Sequence, residues 1–339
     1  MFFLPPEWHP QSAVQLTWPH KGTDWSYMLD EVNECFIEIA REISSRQKLL
    51  VVCKNQAEVQ ELLTDCNMEN IVFSEQDSND TWARDHGGIT VLDNGGPVIL
   101  DFGFNGWGSK FRSDKDNIIT KVLCDAEIFN PEVGYKDHND FILEGGSIES
   151  DGKGTILTTS ECLLSESRNP QFSKTQIEDY LKTWLGAQRV LWLNHGYLSG
   201  DDTDSHIDTL ARFCNENTIA YVKCSDSEDE HFEALSKMES ELKDFKTKEG
   251  VPYKLVALPM ADPLFFENER LPATYANFLI INSAVLLPFY GSKKDKEAQR
   301  ILQSVFPDRE VIGINCTSLT KQHGSLHCVT MQYPEGVIS

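Results

Sequence analysis

The residues of this chain that could do chemistry gather in four short polar signatures. They are Thr81-Trp82-Ala83-Arg84-Asp85, Glu144-Gly145-Gly146-Ser147, Ser205-His206-Ile207-Asp208 and Gly324-Ser325-Leu326-His327-Cys328. Between them they offer the thiol of Cys328, the imidazole of His206 and the carboxylates of Asp85, Glu144 and Asp208. A thiol, an imidazole and orienting acids suffice for nucleophilic attack on a carbonyl-like carbon. So many carboxylates around one thiol exceed that need unless the substrate is a cation.

The elements that must position these groups follow from a repeat. Five segments share a β-rich run, a tight polar turn and a second β-rich run, at 88–102, 146–159, 208–222, 277–288 and 324–333. Asp/Asn-Gly between β-branched runs marks a hairpin, and the first two segments carry it. Helical patterns lie between them at 27–43, 173–185, 230–245 and 294–305. The second of these opens on a capping box, Ser173 with Gln176, and stops at Gly186. Further strands fit 49–53, 189–193 and 254–258. Such an array closes most simply into a ring, because closure limits exposed edges. We therefore expect one domain over residues 1–339, with equivalent hairpin ends facing a common centre. Asp85, Glu144, His206, Asp208 and Cys328, distant in sequence, would meet there.

Composition narrows the class. The net charge of −23 argues against nucleic acid, whose phosphates an acidic protein repels. An acidic field also attracts cationic ligands, although plain solubility is the better account of the charge taken alone. Nine cysteines without a C-x-x-C pair are neither a disulfide framework nor a zinc cluster, and they fit a reducing compartment. The beginning of the chain has no basic leader. Its longest apolar region, 276–290, is interrupted by Asn277, Asn282 and Ser283, too short and broken to span a bilayer. A cytoplasmic protein with no membrane partner is expected. The acidic run 201–204 fails as a calcium loop, since Ile207 and Phe213 stand where Gly and Glu are required. No metal and no organic cofactor is called for. Cysteines other than Cys328 read as small buried hydrophobes, and Trp82 and Trp107 read equally as core or as channel lining.

With Phe104-Asn105-Gly106-Trp107-Gly108 added, the ordered set of motifs resembles the agmatine deiminase and bacterial-type peptidyl-arginine deiminase family of guanidino-group modifying enzymes. The resemblance covers nearly the whole chain. It implies an α/β pentein fold, a five-bladed pseudo-symmetric propeller of ββαβ-like repeats. It implies Cys328 as nucleophile, His206 as acid and base, Glu144 near that histidine, and Asp85 and Asp208 as guanidinium clamps. Trp82 and Trp107 are carried as substrate-binding residues.

The physical reading reaches the same roles, because a planar guanidinium presents paired N–H donors that carboxylates accept bidentately. Agmatine, yielding N-carbamoylputrescine and ammonia, is the preferred small cationic substrate. Peptidyl-arginine and free arginine remain alternatives, and amidino transfer to an amine a more distant one. His86-Gly87, Ser205, Thr209 and His323-Gly324-Ser325 depart from the usual agmatine deiminase pattern, which leaves the recognition of the substrate's tail open. A homodimer is entertained, with no sequence signal that fixes it.

Overall fold

The computed structural model describes residues 2–339. Five of its sheets repeat one plan, an antiparallel pair extended by a parallel third strand after a helical crossover. In the first full repeat Ile89–Asp93 pairs with Gly96–Gly103 across a turn whose Gly95 N–H is taken by the Asp93 carboxylate at 2.6 Å. After the helix Ile119–Asp125, the strand Gly134–Ile142 lies parallel to Gly96–Gly103. Ile148–Ser150, Thr155–Thr159 and Arg189–Leu193 form the next unit, with the helix Lys174–Leu185 as crossover. The following units are Ala211–Asn215, Thr218–Lys223 and Lys254–Pro259, then Leu279–Ile281, Ala284–Phe289 and Glu310–Asn315. Parallel neighbours need such a crossover, since a tight turn can join only antiparallel strands.

The expected helices form for the reasons their sequences give. Leu29–Ser44 buries Val32, Phe36, Ile39 and Ile43, one apolar stripe at helical spacing. Lys174–Leu185 starts on the reciprocal Ser173–Gln176 capping box and ends at Gly186, whose φ of 69° is the left-handed conformation of a helix C-cap. Phe232–Asp244 and Asp295–Val305 occupy the other two predicted stretches. Among the described residues no helix is long and apolar enough to cross a membrane.

The fifth expected hairpin is the correction. Residues 324–333 do not fold back on themselves. Only Thr330–Pro334 is a strand, and it pairs antiparallel with Gln11–Thr17, in register from Leu16 with Thr330 to Ala13 with Tyr333, with a register shift before Gln11 meets Pro334. Gln11–Thr17 in turn runs parallel to Lys48–Cys53 across the helix Leu29–Ser44, and Ile71–Glu75 follows. The same plan is thus completed by the two ends of the chain. The local β signal of 330–334 is real, but its partner is the first strand.

Candidate active site

Each candidate residue lies at the end of a strand pair or in the loop entering one. Asp85 is on the short helix Ala83–His86 just before Ile89–Asp93. Glu144 precedes the turn Gly145–Ser147, and Asp208 lies in the turn Ile207–Thr209 that His206 caps. Cys328 stands ahead of Thr330–Pro334. Together they are brought to one buried centre at the foot of a cleft of about 710 Å³, counting its open mouth. Asp85, Cys328, Trp82 and Trp107 line that cleft.

Asp85 is held from two sides. Its Oδ1 accepts the Gly146 N–H at 3.1 Å, and its Oδ2 accepts the Trp107 indole N–H at 3.0 Å. Trp107 is therefore more than lining, because it fixes a carboxylate. Burial pushes the Asp85 carboxyl up, and the neighbouring Asp208 and Glu144 add to this; despite His206 the result is about 6. His206 Nδ1 lies 3.7 Å from Asp85 Oδ1. Burial opposes a charge on this imidazole, yet Asp85 first, then Cys162 and Glu144, raise it to about 10. His206 is consequently an imidazolium at neutral pH, able to give a proton.

Gly146 explains the Glu-Gly-Gly-Ser signature. A Cβ there would lie 2.6 Å from His206 Nδ1, 2.9 Å from Asp85 Oδ1 and 3.3 Å from Asp208 Oδ2. Only a residue without a side chain lets the backbone pass between these three groups. Glu144 is fully buried and accepts Arg168 Nε at 2.9 and 3.1 Å. Arg168 also reaches Asp204 at 2.6 Å.

Asp208 offers its two oxygens differently. Oδ2 faces His327 Nδ1 at 2.7 Å and accepts Asn277 Nδ2 at 3.2 Å. Oδ1 is buried and among the described residues accepts nothing. The Cys328 thiol donates to Asn277 Oδ1 at 3.4 Å, and the same oxygen takes the His327 N–H at 2.9 Å. Burial drives the Cys328 thiol well above its ordinary range, with Asp208 and Asp85 adding to the effect. The free site therefore holds a neutral thiol facing an ionised Asp208, whose carboxyl stays below its ordinary value despite burial because His327, His206 and Arg212 oppose it.

Asn277, Arg168, Glu7 and His327 were not among the sequence candidates. Cys162, read as a plain hydrophobe, is fully buried but places its sulfur near His206: one atom each of Glu144, Cys162 and His206 lie within 4.8 Å of one another. Both Glu144 oxygens already serve Arg168 and His206 carries a proton, so a metal there would have to displace both.

Two of the departures in motif pattern also become physical. Ser205 and His323 adopt φ of 61° and 63°, the left-handed region that favours glycine. His323 is anchored at the cleft mouth by Nδ1 donating to the Gly200 carbonyl at 2.7 Å.

A buried thiol, an imidazolium and carboxylates with an open oxygen, carried on repeated ββαβ units of a mixed α/β fold, define a thiol-centred site shaped for a planar cation. The chain belongs to the Porphyromonas-type peptidyl-arginine deiminase family, whose profile matches residues 3–334. It is 55% identical to a crystal structure of a provisionally assigned arginine deiminase from Porphyromonas gingivalis, with TM-score 0.97 and all of both chains covered. A C. jejuni agmatine deiminase, solved as a cysteine-to-serine variant with substrate bound, is 42% identical at TM-score 0.92, over 99% of this chain and 97% of that one. The agmatine deiminase of Pseudomonas aeruginosa is 31% identical over 98% of this chain and 95% of its own.

Proposed function

We propose that the protein is an agmatine deiminase, converting the guanidinium of agmatine to a urea with release of ammonia. The observation that carries this reading is Asp85 and Asp208 flanking Gly146 beside Cys328, with Asp208 Oδ1 free to accept a guanidinium N–H. Similarity to agmatine deiminases over nearly the full chain supports it.

The residues act in sequence. Agmatine binds with its guanidinium between Asp85 and Asp208, while Trp82 and Trp107 wall the cleft. The arriving cation offsets the two carboxylates that, with burial, keep the thiol protonated, and Cys328 then gives up its proton through the cleft to water. The thiolate adds to the guanidinium carbon, forming a C–S bond. His206 donates its proton to the departing nitrogen, and the C–N bond breaks to release ammonia. A thiouronium remains on Cys328. His206, now neutral, takes a proton from water, and the hydroxide adds to the same carbon. The C–S bond breaks as the added hydroxyl gives up its proton and becomes the urea carbonyl, leaving N-carbamoylputrescine, and the departing thiolate takes up that proton to restore the Cys328 thiol. Glu144, fixed by Arg168, steadies the charge on His206. Asn277 aligns the thiol.

The five ββαβ units fit a single pentein domain over 1–339, a five-bladed ring, and we read the fold so. The nine free cysteines suit a cytoplasmic setting, and a homodimer is our working assembly.

The test is to incubate purified protein separately with agmatine, free arginine and a blocked arginyl peptide, measuring ammonia and the ureido product. Turnover of agmatine alone supports the proposal. Turnover of the peptide transfers the protein to the other branch of its family, and no turnover of any of the three rejects the deiminase reading.

A further inference from the structure

His327 adjoins the nucleophile, yet its ring turns away from the thiol into a buried ionic network. Nδ1 lies 2.7 Å from Asp208 Oδ2, and Nε2 lies 2.6 Å from Glu7 Oε2. Glu7 is itself engaged as an acceptor. Its Oε2 takes Arg212 Nη2 at 2.7 Å and its Oε1 takes the Ile280 N–H at 2.6 Å. Arg212 continues to Glu149 and to the Phe278 carbonyl. Glu7 is held well below the usual carboxylate range: burial opposes this, but Arg212, His327 and Arg84 outweigh it.

A carboxylate oxygen stands at hydrogen-bond distance from each nitrogen of the His327 ring, so both nitrogens are engaged away from the thiol.

We infer that His327 is a positioning residue, clamped between Asp208 and Glu7 so that Asp208 spends one oxygen on it and turns the other toward the substrate guanidinium. The role rests on the reading of Asp208 as a clamp. It deepens that reading by adding a carboxylate–imidazole–carboxylate bridge from the clamp to the loop that precedes the first strand. His327 touches no substrate. Its hydrogen bond helps hold the Asp208 carboxyl below its ordinary value in a site whose burial would raise it. The charged groups around the bridge are Glu7, Arg84, Glu149 and Arg212 on the far side of the ring. On the cleft side they are Asp85, Asp208, His206 and Cys328.

Two measurements test the inference. Ring-nitrogen NMR on the wild-type protein, with His327 assigned sequentially from Cys328, should show both ring nitrogens engaged in hydrogen bonds. A ring nitrogen without a hydrogen bond there overturns the inference. This spectrum needs no turnover, so its failure is distinct from failure of the deiminase reading. The second measurement is kinetic, on His327→Gln, which keeps a hydrogen-bonding side chain without the ring that spans both carboxylates. KM for the guanidine substrate should rise about tenfold, as the Asp208 oxygen loses its orientation toward the substrate. The value of kcat should change less. A folded variant with unchanged KM overturns the positioning role. If the variant does not fold, the wild-type spectrum decides.

Discussion

At the level of single residues the site is a balance of charges that waits for a cation. The mechanism we propose needs Asp85 ionised and His206 protonated in the free enzyme. The Asp85 carboxyl lies at about 6, so it gains a proton as pH falls through that value and kcat/KM declines. The His206 imidazolium, at about 10, loses its proton as pH rises through that value, and kcat/KM declines again. The pH profile of kcat/KM should accordingly be a broad plateau between these limbs. Cys328→Ala should abolish ammonia release while still binding agmatine by calorimetry, because the clamps remain. In the free enzyme Cys328 should react with iodoacetamide slowly at neutral pH and faster only as the solution turns alkaline, a consequence of its raised thiol. The proposed nucleophile, imidazole and clamps were visible in sequence because thiol, imidazole and acids stand in short polar signatures. Asn277 and Glu7 were not, since an asparagine beside a strand and a glutamate in a loop become recognisable only through partners 51 and 320 residues away.

Strands and turns set the precision of that balance. Gly146→Ala would place a methyl among His206, Asp85 and Asp208, and a displacement of roughly 1 Å in such a site costs about a hundredfold in rate. We expect kcat/KM to fall by about that much with the circular dichroism spectrum unchanged. Arg168→Leu should act on stability as well as on rate. It leaves Glu144 charged and buried without its partner, a loss of about 3–5 kcal/mol that urea denaturation would register. Hairpins over 88–102 and 146–159 were legible because Asp-Asn-Gly and Asp-Gly turns dictate them locally. The strands Gly134–Ile142 and Glu310–Asn315 escaped notice. The first mixes Lys136, Asp137, His138 and Asn139 into its run and carries a register shift against its neighbour, so neither alternation nor an apolar run announces it.

Over the whole molecule the repeat was legible and its last member was misassigned, for one reason. Four units pair strands that are neighbours in sequence, whereas Thr330–Pro334 pairs with Gln11–Thr17. Periodicity reports what a segment is, and says nothing about a partner at the opposite end of the chain. That pairing has a mechanical consequence. Gln11 stands opposite Pro334, so a pull on the chain just before Gln11 and just after Pro334 meets the ladder at a single edge. The hydrogen bonds are then loaded one after another, as in a zipper, and not all at once in shear. Under tension the seam should part at low force, before the hydrophobic interior ruptures, opening from Pro334 toward Thr330, so that Cys328, just ahead of Thr330, is reached last.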